Sequence, residues 1–294
     1  MTQASIALPR SLVRSRTDRR RAFVDRFFRS LCLAAAVIAI IPLFAVIAFV
    51  VINGAGALNL DLLTKPPKAS GVGGGAVASI LGTLQLVGVA TLLAVPIGVL
   101  AAVYTSEFGS RRSAAIIRFA ADVMVGIPSI LIGIFVFTFL VLPFKQFNAF
   151  AGSAALAFLM IPVVMRTTEE IIRLVPNGLR EASLALGVPA WRTVLSIVLR
   201  TGLGGILTGI MLAVARAAGE TAPLLFTALG SRLVNVGGFD RPMDALPMFV
   251  FINARQPIAA LNEQAWGAAL LLLLFVLTIN IFVRIRTFSG RRSR

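Results

Sequence analysis

The 294-residue chain contains no histidine and a single cysteine, Cys32. These two absences remove histidine general bases, histidine or multi-cysteine metal sites, and any intrachain disulfide. Lysine is scarce as well: only Lys65, Lys68 and Lys145 occur, and none follows a glycine. The P-loop of an ATPase or kinase needs a Lys directly after Gly, so that chemistry is excluded too. Charged residues make up 14 % of the chain, against about a quarter in a soluble domain. Neither an enzyme nor a metal or cofactor protein is expected from this repertoire.

What is abundant is apolar sequence, 58 % of the residues. A bilayer core is about 30 Å thick and needs about 20 mainly apolar residues per helix. Stretches 31–52, 78–104, 119–142, 147–165, 203–229 and 265–283 meet that requirement. The reading is an all-α membrane protein with six transmembrane helices and both termini on one side. The net charge of +16 tests that arrangement. Twenty-one Lys and Arg fall in residues 1–29, the loops 105–118 and 166–200, and the tail from Arg284, and six fall in the opposite loops. By the positive-inside rule both termini are therefore expected in the cytoplasm. The arginine-rich arm from Arg10 to Arg29 then reads as a lipid-facing anchor, worth about 1 kcal/mol per charge on anionic headgroups, and not as a nucleic-acid site. The apolar run at 31–52 exceeds the roughly 7–15 residues of a secretory signal core, so it is read as a permanent helix.

These features divide the chain into a basic arm (1–29), a first transmembrane helix (30–53), a Pro/Gly-rich outer linker (54–77), a core (78–284) containing a large inner loop, and a basic tail (285–294). The linker carries Pro66, Pro67, Gly71 and Gly73 to Gly75, which cannot continue a helix. Within the inner loop, Pro176-Asn177-Gly178 reads as a turn. Leu179, Ala182, Ser183 and Leu186 follow at helical spacing. Gly187 suits the left-handed position that closes a helix, and Pro189 the opening of the next. A helix of about nine residues is only about 14 Å long. It is too short to span and suits the cytoplasmic face, where it rests on lipid or fits a groove on a soluble partner.

Arg180-Glu181-Ala182-Ser183-Leu184-Ala185-Leu186-Gly187, with Ile197-Val198-Leu199 beyond it, resembles the cytoplasmic EAA loop of ABC importer permeases. Ser183 stands where that loop has its second Ala, and Arg200 where it has Pro. The resemblance implies that residues 177–200 form the coupling loop to an ATPase, with Glu181 as anchor, Ala182 as a small contact and Gly187 as the turn. A second stretch, Ala213-Val214-Ala215-Arg216-Ala217-Ala218-Gly219-Glu220-Thr221-Ala222-Pro223-Leu224-Leu225, is similar to phosphate-importer permeases of the PstA type. Arg166-Thr167-Thr168-Glu169 and Leu174-Val175-Pro176 match the same family. The implied fold is that of a type I ABC importer permease, one N-terminal helix plus a five-helix core. The implied setting is a bacterial inner membrane, with a homologous second permease, two copies of an ATPase subunit, and an external phosphate-binding protein.

The residues support an anion pathway on their own terms. Arg216 and Glu220 lie four apart in an apolar span, and ionisable residues at mid-bilayer usually face a bundle interior or a pathway. The bland alternative is a pair that only neutralises itself. Gly219 and Pro223 bracket Glu220 and can interrupt the helix. A guanidinium fork suits phosphate oxygens, while Glu220 balances Arg216 in the empty site and can accept a hydrogen bond from protonated phosphate, which sulfate cannot offer. At the inner end of the fourth span, Arg166, Glu169, Glu170 and Arg173 form a second cluster. The resemblance assigns Arg166 and Glu169 to the pathway and leaves Glu170 and Arg173 to a solvated face. Gly205 and Gly209 make a close-packing step, within the chain or with the second permease. The apolar segment 245–253 is too short to cross and is open to docking, lid or packing roles. Rival functions are a permease for sulfate or molybdate, and an ATP-independent transporter or channel.

Overall fold

The computed structural model describes residues Arg16–Ser289, so the last five residues of the tail and part of the arginine-rich arm, including Arg10 and Arg14, lie outside the described residues. The chain divides at Val51/Ile52 into two units. The first is most of α1 (Arg16–Gly54), a helix whose side chains from Leu31 to Val46 are apolar and exposed around its whole circumference. Such a surface suits lipid rather than water.

The second unit is a helical bundle. The linker contributes α2 (Leu60–Thr64), which Asn59 caps by accepting the Leu62 N–H at 2.8 Å. It is no loose tether, because Leu62 is buried with Ala76, Leu246, Phe249 and Ala268. Then follow α3 (Val77–Val103), α4 (Arg111–Gly126), α5 (Ser129–Val136), α6 (Ala149–Arg173), α7 (Asn177–Ala185), α8 (Ala190–Thr193), α9 (Leu199–Ala218), α10 (Ala222–Thr227), α11 (Leu246–Asn253) and α12 (Ala259–Ser289). Among the described residues, five helices are long and apolar enough to cross a membrane, and the α4/α5 pair makes a sixth if taken as one bent span.

Three expected spans change shape. The stretch 119–142 is not one helix: α4 and α5 meet at 104°. Pro128 excludes helical backbone from the residue before it, and Ile127 is accordingly extended at ψ 128°. The stretch 203–229 breaks after Ala218, where Gly219, Glu220 and Thr221 lie between α9 and α10. At its other end it begins far earlier, since α8 runs through a π turn at Val194–Val198 into α9 without a break. The stretch 147–165 extends to Arg173, carrying its charged residues on the same helix.

The centre of the bundle is α6 against α3 and α9, with Leu86, Ala90 and Ala94 meeting Leu156, Met160, Val164, Ala213 and Ala217. Gly209 explains how closely α9 approaches: a Cβ there would strike the Thr167 side chain, and one at Gly205 would strike Ile171. The glycine step is thus used inside the chain. The apolar segment 245–253 forms α11 with Pro247 in its first turn, and Leu246, Met248 and Phe249 are buried. Packing is its role in this structure.

Hydrogen bonds sort the loops into two sets, as the alternating topology requires. At one end, Arg180 binds Glu107, joining the loops 105–118 and 166–200. At the other, Gln264 donates to Gly71 and Gly74, Gln85 bridges to Asn235 and Gly237, and the N–H groups of Asn148, Ala149 and Phe150 donate to Thr227, Arg241 and Phe239 carbonyls. This second set joins the loops at that end and closes the free N-terminus of α6.

Candidate functional site

At the charged end of α6, Glu169 is 3 % exposed and accepts from two arginines, Arg118 Nε at 2.6 Å and Arg173 Nη2 at 2.8 Å, both to Oε1. Arg166 Nη1 stands 3.6 Å from the other oxygen and its Nη2 reaches the Asp122 carboxylate. Backbone carbonyls take further guanidinium protons: Arg118 Nη2 donates to Thr105 and Arg166 Nη2 to Arg118. A buried carboxylate is sustainable only when paired and hydrogen-bonded, and this one is. Arg173 takes part in the network while remaining 57 % exposed, and Glu170 is exposed.

Arg118 and Asp122 escaped the sequence reading. Both signals were present: they lie four apart on α4, and Asp122 is a carboxylate inside a stretch read as a span. Three guanidiniums against two carboxylates leave the cluster with one excess positive charge, two of the arginines still being about 30 % exposed.

Arg216 and Glu220 form the expected pair, Nε to Oε1 at 3.6 Å. Arg216 occupies the last turn of α9, where a cation complements the carbonyl end of the helix dipole. Glu220 lies just past it in the break and is 18 % exposed, against 45 % for Arg216. The break therefore sets a guanidinium with free surface beside a largely sheltered carboxylate. The pair does not join the first cluster. Gly209 sits beside Thr167, and α9 and α6 run antiparallel, so seven further residues set Arg216 about 10 Å beyond Thr167 toward the opposite end. No ion pair or hydrogen bond among the described residues links the two clusters, so Arg166 with Glu169 and Arg216 with Glu220 lie apart.

The short helix expected in the loop 166–200 is α7, nine residues long, with Asn177 and Gly178 in its first turn rather than in a separate turn before it. Gly187 has φ +77° with open space around it. It is therefore required for its conformation rather than its size. The Val188 N–H donates to the Ser183 carbonyl and the Gly187 N–H to that of Leu184, the double bond pattern that ends a helix at a left-handed residue. Ser183, the departure from the EAA pattern, has a local function: its buried hydroxyl bonds that of Thr193 at 2.8 Å and ties α7 to α8.

Arg180 fixes the element to the bundle. Its guanidinium donates to Glu107 at 2.8 Å, to the Val175 carbonyl at 2.6 Å and to that of Ile172 at 2.9 Å. It thereby closes the carbonyl end of α6 and holds the end of α3 in one clamp. Glu181 and Ala182 lie on the exposed side with Leu184 and Leu186. The result is an exposed helix carrying acidic, small and apolar residues and tied to two spans.

A bent helical bundle with several apolar helices long enough to cross a membrane, and charged residues within that length, has the make-up of a membrane protein. Comparison with known proteins agrees. The family model described as "Binding-protein-dependent transport system inner membrane component" matches residues 94–287. The phosphate transport system permease protein PstA of Haemophilus influenzae is 44 % identical over 234 residues, covering 79 % of this chain and 83 % of that protein. PstA 1 of Mycobacterium tuberculosis is 44 % identical over 223 residues, with 75 % and 72 % covered. Among solved structures, the MetNI methionine ABC transporter in its inward-facing conformation superposes with a TM-score of 0.57 at 18 % identity, over 72 % of this chain and 94 % of that one. A bacterial ABC transporter involved in the import of the acidic polysaccharide alginate gives 0.55 at 14 % identity, over 90 % and 99 %. The chain belongs to the family of binding-protein-dependent transport system inner membrane components, in its PstA phosphate permease branch.

Proposed function

We propose that this chain is the transmembrane permease subunit of an ATP-driven importer of inorganic phosphate. It forms part of the anion pathway and couples it to a separate ATPase. One observation carries the reading: a chain that shares 44 % identity with PstA permeases over about four-fifths of its length holds Arg216 and Glu220 together at a helix break. Arg216 supplies donors for phosphate oxygens, and Glu220 limits how tightly they are held, since a pathway must also release its ion. Arg166 and Glu169 form a second station nearer the charged end. Glu181, Ala182 and Gly187 present the surface on which the ATPase acts.

In this reading both termini are cytoplasmic and the membrane is a bacterial inner membrane. The partners are a homologous second permease, two ATPase copies docked on the coupling helices, and an external phosphate-binding protein. Closure of the ATPase pair moves α7, and the Arg180 clamp passes that motion to α3 and α6, tilting the spans about the pathway.

The test is ATP-dependent phosphate uptake by the assembled complex, wild type against Arg216→Gln. Uptake should be lost in the variant; normal uptake removes Arg216 from the pathway. Wild-type complex that carries sulfate or molybdate and not phosphate, supplied with the matching binding proteins, makes this a permease for another oxyanion. An ATPase subunit that co-purifies with wild type and is lost on Glu181 or Gly187 substitution separates the importer from an autonomous channel.

A further inference from the structure

The two carboxylates at the charged end of α6 are held very differently. Glu169 is 3 % exposed and faces Arg118, Arg166 and Arg173 together. Asp122 is 61 % exposed, and Arg166 is its one ionic partner among the described residues. A sheltered carboxylate shared by three guanidiniums cannot be exchanged without leaving them unpaired. An exposed pair contributes little and is readily exchanged.

The place of Asp122 in the chain adds to this contrast. It stands on α4 between Ala121 and Val123, in the apolar stretch that leads into the 104° bend with α5. An ionised side chain at such a position faces water or a polar group and not lipid. Arg166, itself 30 % exposed, meets it there and is fixed from elsewhere: Nη1 lies 3.6 Å from Glu169, and Nη2 also donates to the Arg118 carbonyl at 3.1 Å. Neither of those contacts depends on Asp122.

We propose that Asp122 is a displaceable competitor for the transported anion on Arg166. It covers the guanidinium in the empty site, gives way to a phosphate oxygen, and returns to expel it. This role rests on the importer reading and divides the work of the two carboxylates: Glu169 positions the arginines, and Asp122 governs release. With Asp122 swung away, three guanidiniums face Glu169 alone, an excess of two positive charges that matches doubly ionised phosphate. With Asp122 back in place, one excess charge remains and the hold on the anion weakens. Because the competitor is tethered beside Arg166, it acts at a high effective concentration. A pathway needs such a device, since a site that binds its ion must also let it go.

The experiment is phosphate uptake by the assembled complex in sealed vesicles, preloaded with increasing inorganic phosphate on the side that receives the ion. Phosphate rebinding from that side keeps Arg166 occupied and slows uptake. Asp122→Asn keeps the size and loses the charge, so half-inhibition should come at about fivefold lower internal phosphate, the factor an exposed ion pair supplies at its upper range. Asp122→Ser should shift it in the same direction, Asp122→Glu should restore the wild-type value, and Arg166→Gln combined with Asp122→Asn should abolish the shift. A purely structural role would lower uptake alike at every internal concentration and leave half-inhibition where it is. Unshifted half-inhibition in Asp122→Asn, or a shift that Asp122→Glu shares, overturns the proposal. Wild-type uptake in the same vesicles separates the failures: uptake by wild type with no shift in the variant sinks the role of Asp122 alone, and a wild type that does not carry phosphate sinks the importer reading.

Discussion

The two ends of the bundle are closed by different chemistry. The end that carries α7 is held by ions: Glu107 with Arg180, and Glu169 and Asp122 with three arginines. The opposite end is held mostly by neutral groups: Gln85, Asn148, Gln264, Thr83 and backbone carbonyls, with Asp244 as the buried carboxylate. Ionic contacts act at longer range and keep their attraction as partners shift, whereas neutral hydrogen bonds weaken steeply with distance and angle. If that end moves as a body, as the proposed function requires, guanidinium clamps suit it. An end that must seal loops against one another is better served by short, directional bonds.

The contrast can be broken most forcefully at Glu169. Glu169→Ala leaves Arg118, Arg166 and Arg173 without their shared partner and should destabilise the chain by about 3–5 kcal/mol, read as a lower thermal midpoint in detergent. An unchanged midpoint would mean that the ionic end is not a stabilising core.

Asp244, in the loop before α11, tests the neutral end through pH. Burial pushes its carboxyl up from 3.8 to about 6, against the opposing bonds from Ser79 and the Ala245 backbone. The folded state thus holds the proton more tightly than the unfolded chain, so stability falls as pH rises from 3.8 to about 6 and levels off above. The full difference is about 3 kcal/mol. Asp244→Asn should flatten that slope in thermal melts across this window, while the ionic end of the same variant remains intact.

Arg180→Lys keeps the charge and loses the planar fork, so one ammonium replaces contacts to Glu107, Ile172 and Val175. A loss of about 1.5–3 kcal/mol in local stability is expected for charge-assisted bonds, seen as faster amide exchange confined to α7. In the assembled complex ATP hydrolysis should continue while uptake falls severalfold. Equal losses of both activities would argue against a clamp that transmits motion.

The smallest effect sharpens the comparison within one residue type. Gly209→Ala forces a methyl into Thr167 and should cost about 1–3 kcal/mol by overpacking. Gly178→Ala, in α7 with open space around it, should be neutral or up to about 1 kcal/mol stabilising through helix propensity. Parallel melts of the two variants are the check.

Much of this protein was legible from its residues. Runs of apolar sequence, the placement of arginines and the Gly187 stop needed no tertiary information, because each rests on a local cost: dehydrating a charge in lipid, or forcing a side chain into left-handed backbone. The break at Glu220 followed from Gly219 and Pro223 in the same way. The bend at Pro128 was equally local, yet it was hidden by a hydrophobic run that continues through it, since hydropathy averages over a turn that backbone geometry does not permit.

Pairing across the fold was not legible. Arg180 meets Glu107 across 73 residues, Arg118 meets Glu169 across 51, and Ser79 meets Asp244 across 165. No periodicity encodes such distances. The sequence by itself determined that the chain lives in a membrane, which residues break its helices, and which family it resembles. Only the tertiary structure decided that Arg166 with Glu169 and Arg216 with Glu220 lie in two separate clusters, that Ser183 ties α7 to α8, and that Asp244 is buried against Ser79. These outcomes depend on which helices pack together, and that is set by the whole chain's burial of apolar surface rather than by any one segment.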